Sequence, residues 1–361
     1  MEPLRSKGSE AAKHSKYADN SSGSHGPGIS ISHGDGGFKT GELIEKTISR
    51  FIKNSILDNF EDSATLLFGK YKLAFTTDSY VIDPVFFPGG DIGKLSICGT
   101  VNDLATAGAV PKYLSLSFIL EEGFPLVSLE KIMESVRMTL AETGTDLIIV
   151  TGDTKVVNKE SADKIYINTS GIGIIDEKVC LSPSRIASGD RIILTGSVAD
   201  HGMAVLSARK EFDFKTGLKS DCAPLNKLMA ECLLCSNNIH AARDATRGGI
   251  ARALTELARS SGHDFHINEN SIPVKKEARA LCDFLGMDPL YIANEGKMAI
   301  FVSECDAAKV LDTVRKNKYG KDASIIGSVE KKGKGNIILE TGLGTKRILD
   351  LYYSEQLPRI C

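Results

Sequence analysis

The stretch TTDSYVIDPVFFPGGDIGKLSICGTVNDLATAGAVPKYLSLSFILEEG, Thr76–Gly123, decides how the chain is read. It starts inside YKLAFTTDSYVI (71–82), a strand pattern that breaks at a Pro/Gly turn. IGKLSICGTVNDLATAG (92–108) then places Leu95, Cys98, Val101, Leu104 and Ala105 along one face of a helix. YLSLSFILEE (113–122) alternates apolar and polar residues, as a half-buried strand does.

Outward from this stretch the same grammar continues. SLEKIMESVRMTLAETG (128–144) reads as a helix opened by Ser128 and stopped by Gly144. LIIVTGD (147–153) and IYINTSGIGII (165–175) read as strands. Near CLSPSRIASGD (180–190) the pattern restarts with strand RIILTG (191–196), helices from about 199 and 225, and a helix after RGG (247–249). Strands MAIFVS (298–303), ASIIGSV (323–329) and NIILE (336–340) complete it. Mixed strand order with helices on one side predicts an α+β fold of two domains, 29–180 and 181–345. Residues 1–28, rich in Ser, Gly, Lys and His, lack the apolar surface to offset chain entropy and read as a disordered tail. Residues 346–361 read as a flexible tail ending on Cys361, where Pro358 bars a helix and Arg359 sets a fixed charge beside the thiol. Fully extended, the chain from Ser354 reaches about 25 Å.

Composition narrows the function classes. The 361 residues are 42% hydrophobic and 25% charged, with a formal net charge of -2. That balance offers no electrostatic reason to bind nucleic acid or anionic lipid, and no apolar run reaches membrane length. A cytoplasmic protein without nucleic-acid or membrane partners is expected. The 8 cysteines are scattered, as free thiols of a reducing compartment are. CLLC (232–235) lies in an apolar helical run without a second ligand pair and reads as two helix cysteines, not half a zinc site.

Aspartates recur at strand ends and turns: Asp62 in FEDSATL, Asp78 in TTDSYV, Asp103 in VNDLA, Asp153 in TGDTK and Asp244 in ARDATRGG. Each alone is as well explained as a cap or a turn residue. Together they offer the oxygen ligands that Mg2+ shares with nucleotide phosphates. Gly-rich segments SHGDGG (32–37), FFPGGD (86–91) and TRGG (246–249) would let backbone N–H groups approach phosphate. TRGGIARALTELARSSG (246–262) aims a helix N-terminus at an anion. Asp91 and Lys94 are either phosphate contacts or a helix-start pair, and Asn102 is either an orienting group or a polar helix residue. His201 in ADHGMA reads as a helix-capping residue without a chemical role. No GxxxxGK[ST] loop is present, so a nucleotide site here belongs to another fold.

Thr76–Gly123, with IVTGDTKVV (149–157), RDATRGG (243–249), ANEGK (293–297) and the ending LPRIC (357–361), resembles the HypE family of hydrogenase maturation proteins. That family belongs to the ATP-binding superfamily of aminoimidazole ribonucleotide synthetase and selenophosphate synthetase. The likeness runs from Ile29 to Cys361, and the tail before it is longer than the family pattern. It implies two α/β-mixed domains of the aminoimidazole ribonucleotide synthetase type and a carbamoyl dehydratase that uses ATP and Mg2+. A carbamoyltransferase, HypF, would load a carbamoyl group on Cys361. ATP-dependent loss of water would leave a thiocyanate, and the cyanide would pass to iron on a HypC–HypD scaffold.

Residue by residue, the resemblance implies Asp62, Asp103 and Asp244 as metal ligands, with Asp78 and Asp153 as additional ones. It implies Glu295 as general base and Lys155 as the cation at the carbonyl oxygen. Asp91, Lys94, Asn102, Gly152, Gly248 and Gly249 would surround the nucleotide, and two chains would pair through their N-terminal sheets as a homodimer. The adjacent α-carboxylate is expected to raise the thiol pKa of Cys361, with Arg359 opposing it. Two further readings stay open: another phosphotransferase of the superfamily, which has no use for a C-terminal thiol, and a thiol-tailed scaffold without activity. The aspartates, Lys155 and Glu295 argue against the scaffold.

Overall fold

Asp91 opens the central helix of the computed structural model. Its carboxylate accepts from Gly93 N (2.7 Å) and Lys94 N (3.1 Å), satisfying two first-turn donors that the helix itself leaves unpaired. The structure describes residues 28–34, 37–52, 54–57, 61–209, 214, 216–350 and 359–361. The reading of 1–27 as a disordered tail and that of 351–358 as a flexible one fall outside these residues.

Short helices α1 (Phe38–Leu43) and α2 (Ser49–Ile52) come first, then strands β1 (Ala64–Phe68) and β2 (Tyr71–Tyr80). A minute pair, β3 (Phe86–Phe87) and β4 (Gly90–Asp91), leads into α3 (Ile92–Thr106) and the long β5 (Ala109–Glu121). Helix α4 (Leu126–Thr143) joins β5 to β6 (Ile148–Val157), and β7 (Ile165–Ile175) follows. These strands form a sheet in the order β1-β2-β7-β5-β6, so β6 is an edge.

The remainder builds a seven-stranded sheet. It contains β8 (Arg191–Leu194), β9 (Ile239–Asp244), β10 (His263–Asn268), β11 (Met298–Val302), β12 (Ser324–Lys332), β13 (Ile337–Glu340) and β14 (Lys346–Leu349). Their order is β14-β13-β10-β12-β8-β11-β9. Between them run α5 (Asp200–Ser207), α6 (Asn226–Cys235), α7 (Gly249–Ser261), α8 (Lys276–Leu285) and α9 (Glu304–Lys316). Residues 31–361 make one compact unit. No helix among the described residues is long and apolar enough to cross a membrane.

Three features differ from expectation. Helix α3 was read with one apolar face, yet Ile92, Leu95, Ile97, Cys98, Val101 and Leu104 are all buried around its circumference. It touches the first sheet on one side and α6 and β9 on the other, and a helix so enclosed has no solvent face to keep polar. Helix α4 starts at Leu126 with Pro125, not Ser128, at the N-cap, where the Pro125 carbonyl already accepts from Ser128 N (2.9 Å) and Leu129 N (3.2 Å). Its end is as read: Gly144 closes it at φ 60°. Finally, Lys346–Leu349, assigned to the tail, pairs with β13 as an edge strand.

Two details of packing position the site. An added Cβ at Gly99 would lie 2.4 Å from the Tyr80 hydroxyl, so only glycine lets that hydroxyl donate to Asp78 Oδ2 (3.1 Å). The last residues of the chain pair with the segment after β2. Val81 N donates to the Cys361 carboxyl-terminal oxygen (3.0 Å), Asp83 N to Arg359 O (3.3 Å), and Ile82 bridges antiparallel to Ile360.

Candidate active site

Asp62 stands just before β1, Asp103 on the last turn of α3 and Asp244 at the end of β9. Their side-chain oxygens lie within 4.8 Å of one another. Asp78 joins them in lining a cleft of about 170 Å³, together with Arg243, Arg247 and the start of α7. Burial pushes Asp62 up to about 6. It raises Asp103 and Asp244 well above the usual carboxylate range, with neighbouring carboxylates adding to the rise. Arg243, whose Nε lies 2.9 Å from Asp62 Oδ1, opposes but does not cancel the effect, and Glu256, which also pairs with Arg243, adds to the rise.

Asp244 Oδ2 is buried and has no hydrogen-bond partner, whereas Asp103 Oδ2 accepts from Thr76 Oγ1 (2.7 Å). Crowded carboxylates with an unpaired oxygen are costly unless a cation compensates them. An all-oxygen donor set is what Mg2+ takes, so these residues fit that ion. Gly248 (φ 76°) and Gly249 (φ 62°) turn the chain into α7, and a Cβ on Gly249 would lie 2.5 Å from Leu290 O. The N-terminus of α7 therefore borders the cleft, and its positive dipole end is a favourable place for phosphate.

The thiol of Cys361 lies within electrostatic reach of Arg247, Asp78 and Asp244. It packs against the apolar cluster of Tyr80, Ile82, Cys222 and Ala293. Burial pushes it up to about 12, Arg247 works against that rise, and Glu295, Asp78 and Asp244 add to it. The opposing cation is thus Arg247 and not Arg359, whose guanidinium turns to Asp163 (3.1 Å) and Asp83 (4.0 Å). Arg247 Nη1 also donates to Gly34 O (3.3 Å), within the Gly-rich segment that the sequence placed near nucleotide.

Glu295 is 2% exposed, and burial raises its carboxyl well above the usual range, reinforced by Cys222, Asp244 and Asp221. Its Oε1 has no partner. The loop that carries it is firmly held. Asp221 accepts from Glu295 N (3.1 Å) and Gly296 N (3.2 Å), and Asn102 Nδ2 donates to Glu295 O (3.3 Å) and Ala223 O (3.1 Å).

Several expected ligands are engaged elsewhere. Asn102 spends its whole amide on backbone, its Oδ1 accepting from Leu225 N (2.8 Å), so it places Glu295 and does not face a nucleotide. Asp91 caps α3, and Lys94 Nζ donates to Gly89 O (3.2 Å). Gly152 sits on edge strand β6, where a Cβ would lie 2.1 Å from Leu116 O, so strand pairing alone demands a glycine there.

Asp153 and Lys155 form an exposed pair (2.8 Å; side chains 60% and 68% exposed). They pair across strands with Ser117 and Ile119, on the face of the sheet turned away from α3, whereas Asp78 lies opposite buried Thr169. The rows Asp78–Thr169, Thr169–Leu116 and Leu116–Gly152 are three inter-strand steps, about 14 Å. Within one chain these two residues stay out of the aspartate cluster. Conversely, Arg247 and His201 were missed. His201 Nε2 lies 2.7 Å from Ile360 O and Nδ1 2.8 Å from Ser220 Oγ, contacts across 159 and 19 residues that no local pattern announces.

Residues 60–175 match the family model described as AIR synthase related protein, N-terminal domain, and residues 187–340 match the corresponding C-terminal domain. Carbamoyl dehydratase HypE of Azotobacter vinelandii is 43% identical over 333 residues, 92% of this chain and 97% of that protein. The crystal structure of a HypE–HypF complex superposes with a TM-score of 0.81 at 44% identity, covering 86% of this chain and 99% of that one. A crystal structure of HypE in complex with ATP gives 0.77 at 43%, covering 91% and 98%.

Proposed function

The chain belongs to the HypE family of carbamoyl dehydratases of hydrogenase maturation, and we propose that it converts a carbamoyl group on Cys361 into a thiocyanate at the expense of ATP. One observation carries this reading: the C-terminal thiol, the orphaned Glu295 carboxyl and the Arg247 guanidinium meet beside a cleft of crowded carboxylates, of which Asp244 Oδ2 has no partner.

A docked thiol with a pKa near 12 is a poor nucleophile, so loading takes place with the tail withdrawn, on HypF, the partner seen with a relative. After return, the carbonyl oxygen of the thiocarbamate attacks the γ-phosphate of ATP, and ADP leaves. Glu295 takes one proton from nitrogen as the C=N bond forms. The carbon–oxygen bond then breaks, the second nitrogen proton departs with phosphate, and a thiocyanate remains on sulfur. Arg247, adjoining both sulfur and cleft, stabilises the charge developing on oxygen. Mg2+ held by Asp62, Asp103 and Asp244 supplies neutralisation of the phosphate charge when bound.

Asp153 and Lys155 act across a homodimer in this reading. The outer face of the first sheet exposes Phe75, Tyr113, Ile119, Ile172 and Ile174 around them, a surface suited to a second copy. Pairing through it would carry each exposed pair toward the cleft of the other protomer. Transfer of cyanide to iron on HypC–HypD, in the cytoplasm, completes the proposal.

The test supplies HypF, carbamoyl phosphate and ATP and weighs the C-terminal peptide. Gain of a carbamoyl group, then its ATP-dependent loss of one water, is expected. A carbamoyl group retained in the presence of ATP contradicts the proposal, and ATP hydrolysis unchanged in Cys361→Ala assigns the cleft to a kinase instead.

A further inference from the structure

The ring of His201 is wholly buried at the start of α5 and is gripped from three sides. Nε2 meets Ile360 O at 2.7 Å, Nδ1 meets Ser220 Oγ at 2.8 Å, and Phe87 stands edge-on at 5.4 Å between centroids. A carbonyl oxygen can only accept, so Nε2 bears the hydrogen. Nδ1 of the neutral ring is then an acceptor, filled by the Ser220 hydroxyl. Ser220 Oγ in turn accepts from Cys222 N (3.0 Å).

The next residue, Asp221, holds Glu295 N and Gly296 N, and Ala223 N donates to Glu295 O (3.4 Å). Four consecutive residues, 220–223, therefore support both the ring that grips the tail and the backbone that carries the base. When the tail leaves, the Nε2–H donor loses its Ile360 acceptor, which disfavours departure.

We propose that His201 is a positioning residue that latches the end of the chain through the Ile360 carbonyl and registers Cys361 against Glu295 by way of the 220–223 loop. The inference rests on the dehydratase reading above for its catalytic consequence, though the latch itself is testable on the protein alone. Arg209 Nη2, which donates to Arg359 O (3.0 Å), and Val81 N, which donates to Cys361 O (3.0 Å), also hold the tail.

The experiment is timed alkylation of the full chain with iodoacetamide, following each cysteine peptide by mass. His201→Phe keeps the ring and removes the donor, whereas His201→Gln restores an N–H at the Nε2 position. Loss of one hydrogen bond predicts Cys361 alkylation roughly five- to tenfold faster in His201→Phe and within about twofold of the natural protein in His201→Gln. Exposed Cys180 and Cys305 serve as unchanged references, and buried Cys232 and Cys282 report an intact fold. Equal rates in His201→Phe and the natural protein overturn the latch, as does a His201→Gln rate matching that of His201→Phe.

Should His201→Phe expose Cys232 and Cys282, Ser220→Ala takes its place. It is expected to accelerate Cys361 by about threefold, and no acceleration overturns the proposal. With HypF, carbamoyl phosphate and saturating ATP, His201→Phe is also expected to slow water loss while ATP affinity stays unchanged. If the natural protein itself keeps its carbamoyl group, the dehydratase reading fails while the alkylation rates still decide the latch.

Discussion

Asp62, Asp103, Asp244 and Asp153 all stand in short segments rich in small residues, yet they finish in opposite surroundings. The first three crowd within 4.8 Å, half-buried to buried, with carboxyls raised above their ordinary range and Asp244 Oδ2 unpaired. Asp153 stands on an edge strand in water, its carboxyl lowered first by the hydrogen bond from Lys155. Crowded carboxylates with an unpaired buried oxygen suit a cation, whereas an exposed carboxylate with a partner is already satisfied. In the proposed reading, the contrast separates residues that bind within the chain from residues that act only when a second copy covers them.

The strongest way to break the comparison is substitution in the buried group. Asp244→Asn and Asp103→Asn are expected to lower the rate of water loss at least about a hundredfold. Each should raise the melting temperature of the metal-free protein, because a buried charge is removed. Activity within a few-fold of normal would show that the cluster is structural.

Glu295→Gln follows, with an expected loss of about a hundredfold or more and build-up of carbamoyl-loaded protein on the C-terminal peptide. Lys155→Ala, in the exposed group, should cost about tenfold. Mixed with Asp244→Asn, it should recover activity, since one of the two clefts in a mixed dimer then has both its own Asp244 and a partner's Lys155. No recovery after subunit exchange would remove the cross-dimer assignment.

The smallest effect is on stability against pH. The carboxyl of Asp62 lies near 6 in the fold against an ordinary 3.8, so the folded state binds more protons between those values. Its contribution is full below about pH 4 and lost as pH rises through about 6. Melting of the metal-free protein should accordingly fall over that window, and Mg2+ should raise the melting temperature more at pH 8 than at pH 5. A Mg2+ effect equal at both would contradict the assignment of the cleft.

Much of the first half was legible because its signals are local. Strand β2, the helix after FFPGGD and the Gly144 stop rest on periodicity and turn chemistry within a few residues. Short strands such as IHAARD (β9) and HDFHIN (β10) were not, since their polar letters obscure alternation that shows only in burial. In the site, the carboxylate types were readable, but their use was not. Asn102 and Arg247 are defined by neighbours more than a hundred residues away, at Glu295 and Cys361, and a helix position or an RGG turn looks the same with or without them.

The central claim is that ATP phosphorylates the carbonyl oxygen of a thiocarbamate held on Cys361. The most direct measurement loads the tail with carbamoyl bearing heavy oxygen at the carbonyl and analyses the phosphate released with ATP. The account predicts phosphate carrying the label in step with thiocyanate formation. Label appearing in water, with unlabelled phosphate, would contradict it.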